Sequence, residues 1–237
     1  MGTSRLAISA LLGLLLPPAP GASQAVGDWN IIPQAGFFLS PGDIGPVAQV
    51  SVARYLDVRE VDPKASFGVL VERTLPGEGL ALFVRGLYAL PTDAIGAFNC
   101  LPGLACPALL LESGSEIQTW SGAAGLRYSP LPELSSVRPF LTLGAGLEQN
   151  RFSWSDHGTW IDGGSHTETV GVLQFGAGLD VEVGPLPLRL EFLDSWSPEG
   201  GEFGMDYPEA GLSSSQPLKR ASQHHVTISL GWVLSLG

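Results

Sequence analysis

The chain has 237 residues, with 23 acidic and 12 basic side chains and a formal net charge of −11. This acidic balance argues against nucleic acid as a partner. Hydrophobic residues make up 44% of the chain and charged residues only 15%, against the about 25% charged residues of typical soluble domains.

Residues 1–25 have the pattern of a cleaved signal peptide. Arg5 supplies a positive charge, Leu6 to Leu16 form an apolar run, and Ser23-Gln24-Ala25 supplies small residues for cleavage. The run is too short to span a bilayer, so we expect removal rather than anchoring. Residues 26–237 would then carry 23 acidic and 11 basic (12 − 1) side chains, a net charge of −12.

No other long apolar run in 26–237 is free of Gly, Pro or charge, which excludes a helical membrane protein. The 31 glycines and 19 prolines disfavour helix and suit strands joined by tight turns. A barrel can hide this hydrophobicity, because alternation directs apolar side chains to one face of each strand.

Alternation of apolar and polar residues predicts eight strands in one all-β domain spanning 26–237. The predicted segments are 28–39, 63–74, 79–91, 115–128, 137–150, 167–183, 186–197 and 223–236. Pro46 to Tyr55 also alternates, and we interpret it as part of a hairpin that extends the first long connection. The prediction is an up-and-down antiparallel barrel.

Short and long connections between the predicted strands alternate along the chain. The short ones, 76–79, 129–136 and 184–187, are rich in Pro or Gly, as tight turns are. The long ones are 40–62, 92–114, 151–166 and 198–222, and they are more polar. Short periplasmic turns and long outer loops are typical of outer-membrane barrels.

The two faces of the predicted strands differ in chemistry. In the last segment Val226, Ile228, Leu230 and Trp232 share one face, and His225, Thr227 and Ser229 share the other. Large aliphatic side chains suit lipid, whereas glycines and opposite charges suit a narrow lumen. Six aromatic residues are predicted to form two interfacial girdles. They are Trp29, Tyr128 and Trp232 at the periplasmic ends, and Tyr88, Trp120 and Trp196 at the outer ends.

Nine charged residues are predicted to face the lumen. They are Glu72, Arg85, Arg127, Arg138, Glu148, Asp180, Glu182, Arg189 and Glu191. Arg85, Arg138 and Arg189 are expected to pair with Glu72, Glu148 and Glu191, because unpaired buried charges are costly. An eight-stranded barrel has little room beyond its own side chains, which favours a salt-bridged plug. The alternative is a small channel for ions or apolar solutes.

Three segments carry glycines on the polar face and leucines on the other: AAGLRYS (123–129), RPFLTLGAGLEQN (138–150) and LQFGAGLDVEV (173–183). With the final VTISLGWVLSL they resemble the OmpX/OmpA-type outer-membrane β-barrel family. The chain departs from that family in ending Leu236-Gly237, where an aromatic residue is usual. The resemblance implies a bacterial outer-membrane location. The partners it implies are membrane lipid, lipopolysaccharide and the barrel-assembly machinery, with an unknown surface ligand.

Other chemistry is less well supported. The GAGL segments lack the third glycine and the helix of a dinucleotide site, and we expect no cofactor. His157, His166, His224 and His225, with Asp156, Asp162 and Glu168, are predicted to be solvated groups at the outer end rather than metal ligands. A rim hydrolase is the least favoured alternative, because Ser165, His166 and Glu168 are near neighbours on one strand and alternate faces.

Cys100 and Cys106 are predicted to form a disulfide in the second outer loop. The intervening Pro102 and Gly103 favour a turn, and an exported protein reaches an oxidising compartment. The loop is short, so the stabilisation should be at most about 3 kcal/mol. Thiol titration of the unfolded, unreduced protein should find no free thiol, and two titratable thiols would disprove the bond.

Overall fold

The structure is a computed structural model that describes most of the chain after residue 28. The predicted signal peptide lies outside the described residues. The described residues are 29–41, 44–51, 54–76, 79–100, 109–130, 136–155, 163–183, 186–198, 202–203, 218–219 and 222–236.

All the secondary structure in these ranges is β-strand. The strands are β1 (Trp29–Leu39), β2 (Gly45–Ser51), β3 (Arg54–Val61), β4 (Lys64–Thr74), β5 (Leu80–Cys100), β6 (Leu109–Tyr128), β7 (Val137–Trp154), β8 (Gly164–Val183), β9 (Leu186–Ser197), β10 (Glu202–Phe203), β11 (Leu218–Lys219), β12 (Gln223–Trp232) and β13 (Leu234–Leu236). No helix that could cross a membrane occurs among the described residues.

Eight antiparallel spans close into a barrel. Pairing runs from β1 through β4, β5, β6, β7, β8 and β9 to β12, which pairs again with β1. The short β13 continues β12 beyond Val233 and also pairs with β1. All eight predicted segments coincide with these spans, and the predicted up-and-down barrel is confirmed.

Several strands extend further than their alternation predicted. β5 and β6 remain paired as far as Phe98 and Leu109, and β7 and β8 as far as Trp154 and Gly164. The predicted loop 92–114 is therefore strand over 92–100 and 109–114, and the predicted loop 151–166 is strand at both of its ends, which corrects the predicted boundaries. The alternation of apolar and polar side chains ends where a strand leaves the apolar outer belt, because no lipid-facing side chain is needed there. The backbone hydrogen bonds between strands continue beyond the belt.

The segment predicted as an extending hairpin forms β2 and β3. β2 pairs with β3, and β3 pairs with the second half of β5 from Arg54↔Cys100 to Val61↔Ala94. The barrel wall therefore continues beyond the start of β4 through this hairpin. We call this end of the barrel the loop end and the opposite end, with the short connections, the turn end.

The turn-end connection between β4 and β5 depends on Gly79. The Leu75 N–H donates to the Leu80 carbonyl at 2.9 Å, and the Ser129 N–H donates to the Gly79 carbonyl at 2.7 Å. Gly79 has a φ of 75°, and a Cβ there would lie 2.1 Å from the Ser129 oxygen. Both the left-handed backbone and this close approach require glycine.

The barrel is apolar outside and polar inside. Leu141, Leu143 and Leu147 of β7 alternate outward and are 56%, 55% and 61% exposed. Their neighbours Phe140, Thr142 and Glu148 point inward and are buried. Phe67 and Phe192 extend the outer apolar belt onto β4 and β9. A soluble protein rarely exposes so large a continuous apolar surface, so the exterior suits lipid.

Leu143→Arg tests this face assignment. A charged side chain near the bilayer midplane of a barrel costs about 2–4 kcal/mol, falling to about 0–1 kcal/mol near the interface. We expect Leu143→Arg to lower the free energy of unfolding by the larger amount in urea titrations of the lipid-refolded protein. Gln149→Arg, on the same outward face nearer the loop end, is the matched control and should have little effect. Equal small effects would contradict the face assignment.

Candidate functional site in the barrel lumen

The inward side chains that the structure describes form distinct groups from the turn end to the loop end. Near the turn end, Ile32, Leu70, Phe83 and Val233 form a buried apolar cluster. Val233 breaks the apolar alternation of the last predicted strand. The structure explains this break, because the side chain packs inward while its N–H donates to the Pro187 carbonyl at 2.9 Å.

Arg189 joins the acids of two other strands beside this cluster. Its Nε donates to Asp180 Oδ1 at 2.7 Å and its Nη2 to Asp180 Oδ2 at 2.9 Å. The same guanidinium also donates to both oxygens of Glu72. Arg127 donates to Asp180 Oδ2 at 2.8 Å, and the Phe140 ring lies within 5.4 Å of the Arg127 guanidinium and 4.6 Å of that of Arg189. Four charges on four strands thus neutralise one another.

A second ion pair lies next to this group. Arg85 Nη2 donates to Glu191 Oε1 at 2.5 Å, and both side chains are 1% exposed. Gln34 donates to Glu191 Oε2 at 3.0 Å and Thr142 to Oε1 at 3.4 Å. Glu191 therefore has partners on three strands, as a buried carboxylate requires.

Closer to the loop end, hydrogen bonds connect four strands across the lumen. Lys64 Nζ donates to Thr119 Oγ1 at 2.9 Å, and Thr119 Oγ1 donates to Asn150 Oδ1 at 2.7 Å. Asn150 Nδ2 donates to Glu148 Oε1 at 3.0 Å, and His225 Nδ1 lies 2.6 Å from that same oxygen. We call Lys64, Thr119, Asn150, Glu148 and His225 the cross-lumen chain.

A second apolar cluster covers this chain at the loop end. It consists of Ile44, Val58, Val61, Ala94, Ile117 and Phe152, with Trp154 packed against it. Val58 and Val61 come from the β2–β3 hairpin, which places apolar side chains over the lumen. Ile117 and Phe152 follow Thr119 and Asn150 at the next inward positions of β6 and β7. The polar groups below are thereby shielded from the loop end.

Two of the predicted lumen charges lie at the rim instead. Arg138 Nη2 lies 3.1 Å from Glu182 Oε1, but the side chains are 38% and 49% exposed. Arg138 therefore does not pair with a buried acid, because it stands at the first inward position of β7. Glu148 also pairs with His225 rather than with an arginine. Glu72, Arg85, Arg127, Asp180, Arg189 and Glu191 are brought together in the two ion-paired groups.

The aromatic residues predicted for the girdles lie on the outer face. Tyr88 and Trp120 contact each other near the loop end, with ring centroids 4.2 Å apart. Trp196 stacks on His224 at 6.3 Å. Tyr128 and Trp232 are exposed towards the turn end, and Trp29 lies under Arg73 there. This arrangement is compatible with two interfacial rows.

The histidines that the structure describes do not gather at one site. His224 faces outward, with Nδ1 3.1 Å from Asp194 Oδ2, whereas His225 is buried in the lumen. His157, Asp156 and Asp162 lie outside the described residues. Within the described part of the chain, no three His, Cys, Asp or Glu side chains are grouped as metal ligands would be.

The Ser165, His166 and Glu168 set does not converge on one point. Ser165 lies at an outward position of β8, and His166 and Glu168 lie at inward ones. A nucleophile and its base must approach within hydrogen-bond distance, which this placement opposes. Cys106 lies outside the described residues, so the disulfide remains a prediction.

Sequence reasoning missed most of the polar residues that meet the lumen charges. Gln34, Lys64, Thr119 and Asn150 are all buried. Glu148 and Asn150 share the inward face of β7, and this two-residue spacing was the available signal. Lys64 had no comparable signal, because it is the first residue of its strand.

Some solved structures are similar to this chain. Neisserial surface protein A (NspA) is 13% identical, with a TM-score of 0.49 over 87% of this chain and 96% of its own. The outer membrane protein OprG of Pseudomonas aeruginosa is 13% identical, with a TM-score of 0.48 over 88% and 96%. The outer membrane protease OmpT of Escherichia coli is 11% identical, with a TM-score of 0.49 over 92% and 99%. Neither a protein-family model nor a curated protein matches the sequence.

These similarities concern the fold and carry no statement about activity. The closed pairing of this chain's own strands establishes the antiparallel eight-stranded barrel. The eight-stranded barrel that the resemblance to OmpX/OmpA-type proteins implied is thereby confirmed.

Arg189→Leu should be strongly destabilising. Removing the guanidinium leaves Glu72 and Asp180 buried with one arginine between them, and breaking a buried pair costs about 3–5 kcal/mol. Arg138→Leu is the matched control, because exposed ion pairs contribute about 0–1 kcal/mol. Urea unfolding of both variants in the same lipid measures the difference. Similar small losses would show that the Arg189 environment is solvated.

Proposed function

We propose that the chain is an integral outer-membrane β-barrel with a plugged lumen and a structural or surface-interaction role. The exposed aliphatic belt supports the membrane setting, since a lipid-facing barrel surface is apolar between aromatic rows. The predicted signal peptide supports export. In this setting the turn end faces the periplasm and the loop end faces the cell exterior.

The observation that carries the plug is the succession of buried, mutually bonded side chains along the lumen. Two ion-paired groups and the cross-lumen chain occupy it, with apolar clusters near both ends. Eight-stranded barrels are just wide enough for their own side chains. An ion entering this lumen would have to displace buried, mutually bonded side chains.

The charge count of the interior supports the same role. Eight charged groups of opposite sign meet in the described interior: the bases Lys64, Arg85, Arg127 and Arg189 and the acids Glu72, Glu148, Asp180 and Glu191. Except for Arg127 and Asp180, each of these residues is at most 3% exposed. Four positive charges therefore meet four negative ones. A selective ion path would present an excess of one sign to attract its ion, and these eight described groups present none.

The proposed partners follow from the surfaces. Membrane lipid and lipopolysaccharide would contact the apolar belt, and the barrel-assembly machinery would act during insertion. The surface ligand would bind at the loop end, where the β2–β3 hairpin raises the wall above the belt. We propose no hydrolase activity, because Ser165 and His166 occupy opposite faces of β8.

Planar-bilayer recording tests the plug directly. Purified protein, shown to be folded by heat-modifiable gel mobility, should give no steady openings at pH 7.5. The buried pairs hold the lumen shut, because separating them would strand desolvated charges. Steady openings would replace the plug with the channel alternative. Recovery of the native protein in the soluble fraction without detergent would overturn the membrane setting as well.

A further inference from the structure

The outer wall of the barrel has a hollow on the turn-end side of the aromatic pair Tyr88–Trp120. Gly86 and Gly122 form its floor, because they are register partners at outward positions of β5 and β6. The hollow extends to β4 and has a volume of about 440 Å³. Leu147, the register partner of Gly122 in β7, is exposed beside it. The apolar outer surface is therefore recessed at this place.

The fold itself does not require these two floor glycines. Neither has a positive φ, and the β5–β6 register is regular around them. A Cβ at Gly86 would meet no atom within 4 Å, and a Cβ at Gly122 would lie 3.9 Å from the Arg85 oxygen. At the inward Gly125, by contrast, a Cβ would lie 2.1 Å from the Leu143 oxygen. Glycine weakens a strand interior and often marks a place where a ligand approaches the backbone closely.

Hydrogen-bond donors and a cation lie next to the hollow on its loop-end side. Gln118 Nε2 donates to the Tyr88 hydroxyl at 2.9 Å. Gln149 and Arg151 hold successive outward positions of β7, opposite Trp120 and Gln118. Arg151 is exposed and makes no ion pair with another described residue. Because a diagonal cross-strand neighbour is within reach of a long side chain, its guanidinium can approach the edge of the hollow at Trp120.

The carboxylates of this part of the wall lie further toward the loop end. Glu116 stands one outward position beyond Gln118, and Asp93 is its register partner in β5. An anionic group beside Arg151 therefore meets amide and guanidinium donors, whereas the same group further out would meet two acids. The surface thus fits an amphipathic molecule with an apolar chain in the hollow and an anionic group at Arg151.

We propose that this part of the wall binds lipopolysaccharide, with an acyl chain in the hollow and a phosphate at Arg151. The proposal rests on the proposed function, which places the loop end, and with it the donor row, in the outer leaflet. A guanidinium binds phosphate through charge-assisted and often bidentate hydrogen bonds. The Tyr88–Trp120 pair then lies where the acyl chain joins the headgroup, which is the usual depth of interfacial aromatic residues.

A second hollow indicates a lipid with several chains. It lies on the other side of Leu147, where Gly171 is the register partner of that leucine in β8. Its volume is about 520 Å³, and Ala145 and Leu173 also line it. A Cβ at Gly171 would meet no atom within 4 Å. Two hollows that flank one leucine suit several acyl chains under a single phosphorylated head.

Native mass spectrometry of the refolded protein in detergent, titrated with purified lipid A, tests the phosphate contact. The wild type should retain lipid A, and Arg151→Gln should weaken binding about fivefold, which is the effect of one cation near an anionic lipid. Arg151→Lys should keep most of the affinity. Arg73→Gln is the matched control, because Arg73 is the outward arginine at the turn end, over Trp29, and its loss should leave lipid A binding unchanged. Dephosphorylated lipid A should bind the wild type as weakly as lipid A binds Arg151→Gln.

Gly86→Leu tests the hollow independently of the charge. The new side chain enters open space, so the variant should fold and keep its heat-modifiable gel mobility. Its affinity for lipid A should fall at least about threefold, because the acyl chain loses its contacts with the wall. Ala177→Leu is the matched control, since it adds bulk at an outward position of β8 nearer the turn end. This control should bind lipid A as the wild type does.

Unchanged lipid A affinity in both Arg151→Gln and Gly86→Leu would overturn the site. Equal wild-type affinity for dephosphorylated lipid A or for phosphatidylglycerol would overturn the choice of lipopolysaccharide. A dimer that Gly86→Leu dissociates would assign the hollow to a second copy of the chain and would also overturn the proposal. These results leave the membrane barrel standing if the protein still needs detergent. Recovery in the soluble fraction without detergent would instead remove the membrane setting on which the site rests.

Discussion

The contact of Arg189 with Glu72 and Asp180 is the interaction on which the interior depends. It connects β9 to β4 across the lumen and to its neighbour β8. A guanidinium donates in a plane to two carboxylates at once, and Arg127 adds the fourth charge. Desolvated charges are tolerated only when they are paired and hydrogen-bonded. The strands that carry these four charges must therefore keep one register, and the remaining inward side chains pack around the charged group.

The narrowness of the lumen gives these pairs their strength and also limits what else fits. Gly176 shows this limit, since a Cβ there would lie 2.2 Å from Thr142 Oγ1 and 3.2 Å from Glu191 Oε1. Gly176 therefore makes room for Thr142 and Glu191, and Gly178 makes room for the inward ring of Phe140. Small residues and paired charges fit the narrow interior of the closed eight-stranded barrel, and the apolar side chains cover its exterior.

Alternation predicted the spans and their faces because a strand has a period of two residues, and Leu143 and Glu148 each lie where this period places them. Alternation could not predict how deep in the lumen an inward side chain lies or which side chain it contacts. Arg138 and Glu148 share one inward face, yet Arg138 stands at the turn-end rim and Glu148 lies buried nearer the loop end, because depth depends on where the strand starts. Glu148 meets His225 from β12, a partner set by barrel closure and stagger. The hairpin over the lumen was recognisable from its own alternation, but its apolar contribution to the loop-end cluster was not.

A double-mutant cycle between Arg85 and Glu191 tests the central claim of a dry, paired lumen most directly. Urea unfolding would be measured for Arg85→Leu, Glu191→Leu and the combined variant in the same lipid. A desolvated pair predicts that each single change costs several kcal/mol and that the double variant recovers much of the loss, because no charge is then left alone. Small and additive losses would show that water reaches these side chains, and would contradict the closed interior.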